Sequence, residues 1–148
     1  MTEPRDYAWL RNHTEQYLAD PEQAHDWDST PVGGSGLVPT LLLTTTGRRS
    51  GNERATPLLY QPTGSGFIVV ASRGGSQHHP AWYLNLRADP VCRIQVGRFR
   101  YGATARTVAT GERAPYWEWM VRFWPDYAGY QARTEREIPI VILDANRI

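Results

Sequence analysis

The chain has 148 residues and a formal net charge of +1, and 41% of it is hydrophobic. A chain of this length forms one core, its apolar content excludes intrinsic disorder, and its charge balance excludes a general attraction to nucleic acid. Cys92 is the single cysteine, which excludes an internal disulfide and a cysteine-based metal cluster.

The first predicted element is a helix from about Asp6 to Ala19, with Asp6 as N-cap and Asp20-Pro21 as its stop. Tyr7, Leu10, Tyr17 and Leu18 give it a patchy apolar stripe. Its start lacks the apolar stretch of a signal peptide, and no run reaches the length of a membrane span, so the expected location is the cytoplasm. Asp26 to Gly36 reads as a loop leading into the strands. Residues 1–36 are thus expected to form a helix and loop, and 37–148 the strand-rich part, of one structural domain. Leu37 to Thr45 and Ala55 to Tyr60 are predicted strands, and Phe67 to Ser72 is a short, β-branched, buried one that Gly74-Gly75 breaks. His79-Pro80 opens a helix through Ala88, closed by Asp89-Pro90.

Val91–Val96 and Phe99–Val108 form two more predicted strands, joined by a tight turn at Gly97-Arg98. Alternation sets Cys92 opposite Val91 and Ile94, as a small core or half-buried side chain and not a nucleophile. Thr110 is the expected N-cap of a helix with Glu112 in its first turn, carrying Tyr116, Trp117, Met120, Val121 and Trp124 up to Pro125. A shorter helix follows from Asp126 to Arg133, and Ile138 to Leu143 is a final buried strand. Roughly six strands, mostly antiparallel, with three or four helices predict an α+β protein built on a small barrel.

Four clusters carry chemistry. The segment Thr46-Gly47-Arg48-Arg49-Ser50-Gly51-Asn52-Glu53-Arg54 joins the first two strands in a turn. Its glycines let backbone N–H groups approach a ligand, and guanidinium forks suit phosphate and carboxylate oxygens. Arg54 and Thr56, two apart on a strand, face the same side. The segment alone leaves two readings open, an anion site and an ordinary solvated turn; a Walker A loop is excluded by the glycine spacing and the missing lysine. The second cluster, Ala71 to Ser76, is another strand end with small residues, hydroxyls and Arg73. If both strand ends open on one rim, four arginines converge there.

In the third cluster, His78 and His79 point in different directions, so no metal site is expected. Trp82 beside them serves either as core or as a stacking surface. The fourth, Phe123 to Tyr130, forms either a wall over a planar ring or a packing patch. The Tyr127 and Tyr130 phenols can donate a hydrogen bond or a proton. All sixteen basic residues are arginine, so no lysine can form a Schiff base.

Taken in order, Leu41 to Gly51, Pro57-Leu58, Ala71 to Gly75, Pro80 to Leu86, Tyr127 with Tyr130-Gln131, and Arg136 to Val141 resemble the deazaflavin-dependent nitroreductase family. Its members are also described as coenzyme F420-dependent quinone reductases of actinobacteria. The resemblance covers about Leu37 to Leu143 and implies a split β-barrel, FMN-binding-like, with flanking helices. It implies coenzyme F420, an 8-hydroxy-5-deazaflavin with an anionic tail, as cofactor, and FMN less so. Arg48, Arg49, Arg54, Thr56 and Pro57 are then expected around the cofactor phosphate. Ala71, Ser72, Arg73, Gly74 and Gly75 are expected along the same groove, with Ala81 and Trp82 beside the ring system.

The implied reaction is hydride transfer from the reduced deazaflavin to a quinone-like or nitroaromatic acceptor. Tyr127 and Tyr130 match the family's pocket tyrosines and carry the catalytic role; Leu59 and Trp124 complete the acceptor site. Leu59 and Trp124 replace parts of a tyrosine-lined pocket, and Ala81 replaces a bulkier methionine, so the acceptor site is reshaped while the phosphate grip is spared. The alternatives are a non-catalytic deazaflavin carrier and an FMN-using oxidoreductase of the same fold. The expected partner is a small-molecule acceptor, with no nucleic acid and no stable membrane insertion. The chain is expected as a monomer or homodimer, and peripheral contact at the inner membrane face stays open because quinones are lipid-soluble.

Overall fold

The computed structural model describes residues 8–28 and 37–147. In chain order these form α1 (Ala8–Ala19), α2 (Pro21–His25), β1 (Asp26–Asp28), β2 (Leu37–Thr46), β3 (Glu53–Leu59), β4 (Gln61–Pro62) and β5 (Gly66–Val70). Then follow α3 (Ala81–Ala88), β6 (Val91–Val96), β7 (Phe99–Thr107), α4 (Arg113–Phe123), α5 (Asp126–Ala132) and β8 (Ile140–Arg147). The strands run β1-β2-β6-β7-β8-β5-β4 across one sheet, with β3 also paired to β2, and every pairing is antiparallel. β2 serves two neighbours at once: Leu42 lies across from Pro57 on one side and Gln95 on the other.

Both faces of this curled sheet are buried. In β5, Phe67 and Val69 enter one apolar cluster while Ile68 and Val70 enter another, and Val141 and Leu143 part from Ile140 and Ile142 in the same way on β8. That is why these strands read as unbroken apolar runs and not as alternating ones. The first cluster fills the inside of the curl with Leu41, Leu43, Ile94 and Leu86. The second packs the outer face against α4 and α5 through Met120, Trp124 and Tyr127. The hairpin β6–β7 turns on Gly97 at φ +56, where a positive φ favours glycine.

Several expectations change. Residues 26–28 are not loop: Trp27 pairs with Val38, so β1 adds a strand to the sheet. Pro21 ends α1 as expected and also begins α2, because a proline is tolerated where a helix's N–H has no partner anyway. Residues 29–36, the proposed cap Asp6, Tyr7 and the Leu10 side chain lie outside the described residues. Of the remaining stripe, Tyr17 is fully buried while Leu18 is exposed. Tyr17 docks α1: its hydroxyl donates to the Thr40 carbonyl at 2.9 Å and accepts from the Gly97 N–H at 3.0 Å. Thr40 Oγ1 in turn donates to the Ala24 carbonyl at 2.8 Å, tying α2 to β2.

Cys92 is buried as expected, but it shares the inner face with Ile94, as residues two apart on a strand must; only Val91 points the other way. Burial pushes the Cys92 thiol up to about 11, which suits an inert core residue. Thr110 does not cap a helix. It starts a 3-10 turn, Thr110–Glu112, and its hydroxyl donates to Glu137 Oε2 at 2.9 Å, while α4 begins at Arg113 without a side-chain cap.

Candidate functional site

A cleft of about 1410 Å³ opens between the β2–β3 hairpin, the 72–74 segment, the start of α3 and the inner side of α5. The hairpin tip is closed by Gly47 N–H to the Asn52 carbonyl at 2.7 Å and Gly51 N–H to the Gly47 carbonyl at 2.8 Å. Gly51 takes φ +75, the left-handed region, so the turn needs glycine there. Register pairing sets Thr45 opposite Arg54 and Leu43 opposite Thr56, so Arg54 and Thr56 share a strand as expected and Glu53 joins them.

Arg48, Arg49, Arg54, Arg73 and Arg133 all line the cleft, and Asp126 is the sole carboxylate among the described residues that line it. Such an imbalance of fixed charge focuses a positive potential in a concave, partly water-excluded space. Arg49 and Arg54 are exposed and make no ion pair among the described residues. Their charge is available to a ligand. Arg48 is held differently: its backbone N–H and its Nη1 both donate to Asn85 Oδ1, at 3.2 and 3.0 Å. Asn85 is buried on α3 and donates through Nδ2 to Thr45 Oγ1 at 3.1 Å. It thereby fastens the hairpin tip to α3.

Asn85→Ala should cost about 1–3 kcal/mol, because Thr45 and Arg48 lose a buried partner. Urea denaturation measures that loss.

The other end of the cleft is aromatic. Leu59, Trp124, Tyr127 and Tyr130 line it, with Thr56, Pro57, Ser72, Arg73, Gly74, Ala81 and Trp82 along the way from the arginines. Arg54 and Leu59 are five residues apart on an extended strand, so the two ends lie on the order of 17 Å apart. Tyr127 is buried, its ring set edge-on to Tyr130 at 6.0 Å between centroids. Burial, and then Tyr130, raises the Tyr127 phenol above its ordinary value, so this group keeps its proton. The Tyr130 hydroxyl accepts from Trp124 Nε1 at 3.4 Å, which leaves its own O–H to donate elsewhere. Trp82 is half-buried on α3 and packs on the inner core while facing the cleft, so it serves both readings.

Two expected residues stand behind the wall. Ala71 is fully buried, and its carbonyl accepts from Arg136 behind the cleft. Gly75, at φ +82, packs against the backbone of Tyr130. Sequence reasoning missed Asn85 and Arg133 in the cleft lining, and Arg136 behind it. Asn85 carried one signal, a polar side chain at a core-facing helical position between Tyr83 and Leu86. His79 is also held in place, since its Nδ1 accepts from Arg136 Nη1 at 3.0 Å and a guanidinium can only donate. Burial, then Arg136 and Arg87, lower its pKa and keep the ring neutral.

A deazaflavin with an anionic tail fits these residues. The exposed Arg49 and Arg54 offer fixed charge suited to an anionic tail, and the apolar, aromatic end suits a planar ring.

A family model described as F420H(2)-dependent quinone reductase matches residues 9–145. An F420H(2)-dependent quinone reductase of Mycobacterium tuberculosis is 40% identical over 116 residues, covering 73% of this chain and 74% of its own. A solved F420-H2 dependent reductase, FDR-A, superposes with a TM-score of 0.65 at 40% identity, over 71% of this chain and 93% of that one. A second solved relative, described as a domain-swapped dimer, gives 0.66 at 38% identity over 91% and 96%.

Proposed function

Because the chain belongs to the F420H(2)-dependent quinone reductase family, we propose that it reduces a quinone-like acceptor held against Leu59, Trp124, Tyr127 and Tyr130. Its fold is the split β-barrel and its cofactor is coenzyme F420. The observation that carries the reading is one cleft with Arg48, Arg49 and Arg54 at one end, an aromatic wall at the other, and Arg73 and Arg133 also lining it. When bound, a reduced deazaflavin supplies a hydride and not single electrons.

The residues of the chain then bind and orient. Arg48, Arg49, Arg54 and Arg73 hold the anionic tail, with Thr56, Ser72 and Gly74 close by. Trp82 and Ala81 flank the ring system, and the absence of a bulky side chain at Ala81 leaves room beside it. Tyr127 and Tyr130 direct phenolic O–H groups toward the acceptor, whose oxygen gains negative charge as it is reduced; donors placed in advance stabilise that charge. Removing one such donor costs on the order of 10²-fold in favourable sites. Tyr127→Phe should therefore lower kcat by roughly tenfold to a hundredfold while the cofactor Kd stays level, as stopped-flow turnover and titration would read.

No described helix is long and apolar enough to cross a membrane. The proposal sets the reaction in the cytoplasm with a small-molecule acceptor, and the chain works as a monomer or homodimer.

A spectroscopic titration with deazaflavin and with FMN, followed by a screen of quinones and nitroaromatics, tests the reading. Deazaflavin binding with turnover of a quinone supports it. Tight FMN binding without deazaflavin binding overturns it, and tight deazaflavin binding with no acceptor reduced assigns a carrier instead.

A further inference from the structure

Arg136 does not line the cleft, yet it reaches three carbonyls in or flanking the 72–74 segment that does. Its Nε donates to the Ser76 carbonyl at 2.7 Å, its Nη2 to the Ser72 carbonyl at 2.8 Å, and both Nη atoms to the Ala71 carbonyl, at 3.2 and 3.3 Å. The fifth contact is Nη1 to His79 Nδ1 at 3.0 Å, so the whole guanidinium fork is engaged. These carbonyls bracket Arg73, the one described non-glycine residue with positive φ, at +46. A left-handed arginine is strained and persists only where its surroundings over-determine it. Arg136 braces the carbonyls on both sides of Arg73.

The same residue also reaches the opposite wall. The Arg136 carbonyl accepts from Gln131 Nε2 at 2.8 Å, and Gln131 sits on α5 one position after Tyr130. Gln131 Oε1 accepts from the Ile138 N–H at 2.9 Å and from Arg113 Nη2 at 3.2 Å, which locks α5 in place. Burial and the nearby Arg73 charge lower the Arg136 pKa, as expected for two cations side by side.

We propose that Arg136 is a positioning residue that holds Arg73 in its left-handed conformation and fixes the anion-binding rim relative to the tyrosines of α5. The two walls then keep one spacing whether or not the cleft is filled. The part of the proposal that concerns ligand binding rests on the deazaflavin reading; the part that concerns Arg73 does not.

The test uses Arg136→Gln and Arg136→Lys in the whole chain. Amide hydrogen exchange without cofactor is the first readout: residues 72–76 should exchange at least tenfold faster in Arg136→Gln, with β5 and β8 amides unchanged. A lysine, with three donors on a flexible stem, should restore part of that protection. Deazaflavin titration is the second readout, and Kd should rise about tenfold, the scale of one misplaced charge-assisted hydrogen bond. Unchanged exchange at 72–76 in folded Arg136→Gln overturns the proposal. So does a loss of protection spread evenly over β5 and β8, which would make Arg136 a general stabiliser. If the unaltered protein fails to bind deazaflavin, the cofactor reading falls while the exchange result still decides the role of Arg136.

Discussion

Replacing Arg49 and Arg54 together by alanine is expected to weaken deazaflavin binding by about 2–4 kcal/mol, on the order of thirtyfold to a thousandfold in Kd. Both side chains are exposed at the cleft rim, and neither has an ion-pair partner among the described residues. Their removal therefore leaves nothing unsatisfied in the free protein, and the whole loss appears in binding. Arg48 is unsuited to the same experiment, since its side chain is also tied to Asn85. Two readouts make the test sharp. The melting temperature of the free double variant should match that of the unaltered protein within a degree or two, and the salt dependence of Kd should become shallower as two charges leave the rim. An unchanged Kd would remove the hairpin from the cofactor site.

The second large effect is expected at Gly75. A Cβ built there would lie 2.8 Å from the Tyr130 carbonyl oxygen and 2.9 Å from its Cα. Those are backbone atoms of α5, so relief requires moving the helix and not a side-chain end. The residue also has φ +82, which an alanine adopts only with strain. Overpacking and backbone strain together place Gly75→Ala at about 2–4 kcal/mol of lost stability. Because the displaced helix carries Tyr127 and Tyr130, kcat at saturating cofactor should fall as well, and the two losses can be read separately by urea denaturation and steady-state turnover. Gly129→Ala is the control on the same helix. A Cβ at Gly129 meets nothing within 4 Å, so this change should be neutral or stabilising by up to about 1 kcal/mol. Equal destabilisation by both would show that α5 tolerates no change, and would sink the argument from close approach.

What the sequence made legible follows from the range of the interactions involved. Strand β6 and its Gly97-Arg98 turn could be read to the residue, and β7 to within one, because strand period and turn chemistry are local signals. The β2–β3 arginine hairpin was legible for the same reason, although its second strand already begins at Glu53. β1 was hidden because Asp26–Asp28 is three residues long and gains its identity only from pairing with β2. Thr110 looked like a cap, but Glu137, 27 residues away, took its hydroxyl. Arg136 was harder still. Its side-chain partners lie 57 to 65 residues back in the chain, and most are carbonyl groups, which every residue has. No spacing rule could have found them.

The lysine-free composition has a consequence for regulation. Every fixed positive charge lining the cleft is a guanidinium, which stays protonated across the pH range of a cell and is no target for lysine acetylation. The charge on the rim therefore cannot be switched off by a change of pH or by the commonest acyl modification. Tuning the grip is left to whatever competes for the same arginines: other polyanions and the ionic strength of the surroundings.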